Sequence, residues 1–107
     1  MTTEASRMLL AFEQQMRTIN REVLNPVIDS LSPAKLEPML RMVAKARALY
    51  LQELLKLADG NGGELPDDQQ IKVLHQRRLR YDELVEAAQA LETAIQRGYL
   101  DVSTGTG

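Results

Sequence analysis

His75 is the only histidine among 107 residues, and the chain has no cysteine. A histidine that works as a general base or a metal ligand needs a carboxylate, a hydroxyl or a second ligand brought to it. Three and four positions away on a helix stand Ile71, Lys72, Arg78 and Leu79, and none of them is an acid. His75 therefore reads as a solvated flank residue. Without cysteine there is no disulfide, no thiolate metal site and no thiol nucleophile.

Two further stretches invite chemistry. Asp59, Asn61 and Gly63 place oxygen donors at alternate positions, as in a calcium-binding loop between helices. The match fails at its strictest points: Glu64 stands where glycine is needed, Pro66 stiffens the loop, and Gln70 occupies the place of the closing glutamate. Gly60, Gly62 and Gly63 follow a helical pattern where a phosphate loop would lead from a strand into a helix. No metal or cofactor is implied, and no acid, base and nucleophile constellation points to an enzyme.

Charge supplies the next candidates. Lys72, Arg77, Arg78 and Arg80 cluster on one stretch, and such a run could meet phosphates. Asp68, Asp82 and Glu83 stand at helical pairing distance from Lys72, Arg78 and Arg80, and Glu37 from Arg41, so surface pairing explains most of it. With a formal net charge of −2 the chain has no broad attraction to nucleic acid or anionic lipid. Arg47 and Arg78 differ from the others because helical folding brings them to one height with Glu22. A buried guanidinium is satisfied well by a single carboxylate. The expectation is a polar layer in which Glu22 bridges Arg47, Arg78 or both, flanked by Tyr50 and Tyr81.

These residues have to be carried by helices. Leu36, Leu40, Val43, Tyr50, Leu54 and Leu57 repeat in steps of three and four, and Met39, Met42, Leu49, Leu51 and Leu55 widen that stripe. A helix apolar over so much of its girth needs neighbours on two sides, and one periodic segment lies before it and one after. The fold class is all-α: an antiparallel three-helix bundle, or long helical hairpin, with helices near 4–31, 37–58 and 67–97. Phe12, Met16, Ile19 and Val23 form the inward seam of the first helix. Its apolar period survives Pro26, which predicts a kink there in place of a break.

Pro33 and Pro38 predict a short helical turn over 33–36 before the long helix begins at Glu37 or Pro38. Gly60 closes that helix, Asp67 with Gln70 caps the third, and Gly98 ends it. Residues 1–100 read as a single domain and 101–107, DVSTGTG, as a flexible tail with nothing to bury. The N-terminus carries Glu4 where an export signal would be basic, and no apolar run reaches membrane length, so the cytoplasm is the expected compartment.

The antiparallel fold brings the apolar run Met8 to Phe12 level with Leu51, Leu54 and Leu55. Leu9, Leu10, Leu51 and Leu55 should then remain as an exposed patch, and such a patch marks an interface. The pattern points to a small protein–protein interaction module, adaptor, chaperone-like or regulatory, that self-associates as a homodimer and presents helix faces to a protein partner. The rival is a small nucleic-acid-binding regulator in which Lys72, Arg77 and Arg80 contact phosphates.

Overall fold

Thr2 opens the first element, its Oγ1 accepting the Ala5 N–H at 3.0 Å, with Glu4 in the first turn of the helix it caps. In this computed structural model, which describes residues 2–104, three helices occur in order: α1 (Thr3–Leu24), α2 (Pro33–Gly60) and α3 (Asp68–Gln96). No β-strand occurs among the described residues, and one isolated parallel bridge joins Leu31 to Val102. The all-α class expected from the sequence holds. Among the described residues no helix is long and apolar enough to cross a membrane.

The helix boundaries correct the expectation at both prolines. α1 does not continue to residue 31 through a kink; it ends at Leu24, with Asn25 as cap. Two turn bonds, from the N–H groups of Val27 and Ile28 to the Leu24 carbonyl, then carry the chain away. Proline crowds the preceding turn, and the residues beyond it do not resume a helix despite their apolar period. Pro38 has the opposite outcome, since α2 runs unbroken from Pro33 through it. Its ring φ is already helical and only the single bond to the Ala34 carbonyl is forgone, so no separate turn forms over 33–36. Ser32 caps this start, its carbonyl accepting from the Lys35 and Leu36 N–H groups and its hydroxyl from Lys35 N–H at 3.4 Å.

Both long helices close with the same paired bonds. At the end of α2, Gly63 N–H reaches the Ala58 carbonyl and Gly62 N–H the Asp59 carbonyl. At the end of α3, Tyr99 N–H reaches Ala94 and Gly98 N–H reaches Ile95. The residue that must turn left-handed is Gly62 (φ 58°) in the first and Gly98 (φ 73°) in the second. Gly60, expected in that role, is still helical. Between α2 and α3 the capping box forms in full: Gln70 N–H donates to Asp67 Oδ1 at 2.8 Å and Asp67 N–H to Gln70 Oε1 at 2.9 Å.

The contacts divide the chain into two compact units. The first comprises Met1–Leu36 and Ala90–Gly107, the second Glu37–Gln89. In the second unit α2 and α3 run antiparallel, because their contacts pair Asn61 with Gln70, Glu53 with Arg77 and Tyr50 with Tyr81. Val43, Ala46 and Leu57 are its buried apolar residues. In the first unit Leu100 is the most deeply buried apolar side chain among the described residues, with Ser32 also buried.

The segment expected to be a free tail from 101 onward is instead tied down as far as Ser103. Leu31 N–H donates to the Asp101 carbonyl at 3.0 Å and Ser103 N–H to the Leu31 carbonyl at 2.6 Å. The sequence offered no side chain there to bury, but backbone bonds and one acid make the attachment without one. Residues 105–107 of that expected tail lie outside the described residues.

Candidate interaction surface

Arg17, Arg21 and Asn25 recur at every fourth position, so they project from one side of α1. That side holds the end of α3 and the segment beyond it. Arg17 Nε donates to the Arg97 carbonyl at 3.2 Å and Arg21 Nη1 to the Gly98 carbonyl at 2.8 Å. Arg21 Nη2 meets Asp101 Oδ1 at 2.5 Å, and Asn25 Oδ1 accepts the Asp101 N–H at 3.2 Å. Two guanidinium groups thus lie at the carbonyl end of a helix, where cations are favoured.

Fastening α1 by its polar side has a consequence for its apolar side, roughly 160° around the helix at 100° per residue. No residue of α1 is buried. Phe12, Ile19 and Val23, read from the sequence as the inward seam, are exposed, Phe12 at 57%; Met16 is half-buried. The apolar period was a true signal of an amphipathic helix, but it could not say that arginine contacts to backbone carbonyls would decide which side is covered. The four leucines of the expected patch are all exposed: Leu9 49%, Leu10 61%, Leu51 49% and Leu55 68%. Leu9 and Leu10 belong to the first unit, Leu51 and Leu55 to the second. On α2, Leu40 and Leu54 are exposed as well, Leu54 next to the side that carries Val43 and Leu57, and Leu51 and Leu55 farther round from it.

The expected polar layer is rearranged. Arg47 Nε donates to the Tyr81 hydroxyl at 3.1 Å, and its guanidinium carbon lies 5.4 Å from the centre of the same ring. Tyr50 packs on Tyr81 at 5.9 Å between centroids. Arg78 Nε stands 3.8 Å from Asp82 Oδ2, with Nη2 3.5 Å from His75 Nδ1. Glu22 belongs to the other unit and has no ion pair among the described residues. Only a carboxylate was sought for Arg47, whereas a phenol offers it both an acceptor and a π face. The cross-helix acid that sequence reasoning missed is Glu53, largely covered and 3.8 Å from Arg77 Nε. Its place four residues before Leu57, on the covered side of α2, was the available signal.

That pairing takes one member from the phosphate-contacting trio, since Arg77 is held against α2 while Lys72 and Arg80 are exposed. Of the surface pairs expected to neutralise the basic run, Arg41 with Glu37 and Arg78 with Asp82 form. Lys72 with Asp68 and Arg80 with Glu83 are not among them. His75 lines a shallow hollow of about 160 Å³ with Tyr50, Ile71, Leu74 and Arg78, beside a guanidinium and not an acid. Compared with models of protein families, with curated proteins and with solved structures, the chain matches none.

Proposed function

We propose that this chain is a small helical interaction module that self-associates and presents apolar helix faces to a protein partner, with Leu9, Leu10, Leu51 and Leu55 among the contact residues. The observation that supports the reading is the exposure of large apolar side chains along α1 and along one side of α2. Scattered single leucines on a surface need no explanation, whereas leucines repeating along a helix face form a continuous strip that water wets at a cost. Burying such a strip against a second protein gains roughly 25 cal/mol per Å² of apolar surface before association costs are subtracted.

Light scattering tests the reading. The wild type should scatter as a species heavier than one chain, and a variant with all four leucines changed to glutamine should scatter as a single chain of unchanged helicity. A wild type that remains a single chain at millimolar concentration would overturn self-association. The nucleic-acid alternative has no observation in its favour beyond the exposure of Lys72 and Arg80, and a steep fall of any binding with salt is what it would require.

A further inference from the structure

Ala5, Leu9, Phe12, Met16, Ile19 and Val23 succeed one another along α1 in steps of four, three, four, three and four. That alternation is the seam of a two-stranded coiled coil. We propose that this stripe pairs with the same stripe of a second copy, the two α1 helices running antiparallel; the inference rests on the self-association reading and names the surface and its occupant.

Three features of α1 support a second copy of itself as the occupant. First, most of the stripe is uncovered: Leu9, Phe12, Ile19 and Val23 are exposed, and the hydrogen bonds to Arg97, Gly98 and Asp101 use the other side of the helix, while Met16 is half-buried at the cleft it shares with Gln96, Arg97 and Tyr99. Second, the area suffices. These side chains, with Met8 beside them, offer roughly 600 Å² per copy and about 1,200 Å² in the pair, at the foot of the range for stable interfaces. Third, the positions flanking the seam present no row of like charge: Ser6, Met8, Gln15 and Asn20 are uncharged, and of the two acids, Glu13 and Glu22, the latter would face Met8 of the second copy. Glu13, which would face its own copy, has Arg17 one turn on in the favourable order and shares a cleft with Arg97.

Side-chain volume selects the orientation. An antiparallel pair sets Phe12 against Met16, Leu9 against Ile19 and Ala5 against Val23, so neither the largest nor the smallest side chain meets its own copy. A parallel pair sets Phe12 on Phe12 and Ala5 on Ala5, one layer overfilled and another nearly empty, and both faults destabilise a core. Of the leucines at 9, 10, 51 and 55, Leu9 alone lies on this seam, while Leu10, seven residues before Arg17, lies on the opposite side of α1. Six layers are few, so the dissociation constant should fall in the micromolar range, about 1–100 µM.

The experiment uses the full chain. Phe12→Glu and Ile19→Glu, both at exposed positions, should each raise the dissociation constant at least about 100-fold in sedimentation equilibrium, because a carboxylate would have to enter an apolar layer. Circular dichroism should be unchanged, as should urea unfolding measured well below the wild-type dissociation constant, where both proteins are single chains. Orientation is read by disulfide trapping, for which the chain's lack of cysteine is ideal. Leu9→Cys and Ile19→Cys proteins, mixed and oxidised, should give the mixed disulfide, since bridged Cα atoms must lie within about 7 Å. Self-disulfides of each variant in place of the mixed one would overturn the antiparallel pairing. A wild-type dimer indifferent to both glutamates would overturn the α1 seam while leaving self-association standing, and a monomeric wild type would overturn both.

Discussion

Changing Leu100 to alanine removes the most deeply buried apolar side chain among the described residues, 4% exposed, from a segment whose sequence gives little hint of order. Burying a leucine stabilises by roughly 1.5–3 kcal/mol, and leucine-to-alanine changes in cores cost about 2–5 kcal/mol. Leu100 is the one buried apolar side chain among the described residues of its unit, so little tightly packed core surrounds it, which places the expected loss near the lower end of that range, about 2–3 kcal/mol. At a urea dependence of about 1.5 kcal/mol per molar, the unfolding midpoint should fall by about 1.5 M. Hydrogen exchange locates the effect. The Leu31 and Ser103 amides, bonded to the Asp101 and Leu31 carbonyls, should exchange at least about 30-fold faster, since they open with the segment that Leu100 anchors. Val102→Ala, at an exposed neighbour, is the control and should stay within about 0.5 kcal/mol. A loss below about 0.5 kcal/mol for Leu100→Ala would refute the reasoning, because a leucine so covered cannot be removed without consequence.

Single contacts set two further outcomes. Asp67→Ala removes the side-chain acceptor of the capping box at the start of α3 and should cost about 1 kcal/mol in urea unfolding. Tyr81→Phe leaves the ring over Arg47 but removes its acceptor, so about 0.5–1.5 kcal/mol should be lost; in the Arg47→Met background the same change should cost measurably less.

Helix existence was legible because apolar steps of three and four, the Asp67 and Gln70 pair, and Gly98 each carry a local physical signal. Pro26 and Pro38 were read in the wrong sense for a shared reason. A proline states that one hydrogen bond is missing, and whether the helix ends or runs on depends on how its neighbours pack. The faces were harder still. Phe12, Ile19 and Val23 are apolar in a pattern that asks for cover, yet α1 is fastened through Arg17, Arg21 and Asn25 to the backbone at and beyond the end of α3. Backbone groups have no letter in a sequence, so neither that clasp nor the docking of Asp101 to Ser103 could be read from residue types. Arg47 shows the same limit for side chains, where a tyrosine hydroxyl filled the place reserved for a carboxylate.

The central claim, that the open apolar faces serve association, is tested most directly by sedimentation equilibrium of the unaltered protein from about 1 µM to 500 µM, a range set by the affinity expected of so small a seam. The account predicts a mass that rises with concentration from 12.0 kDa toward twice that value. A mass that stays at 12.0 kDa across the whole range would contradict it.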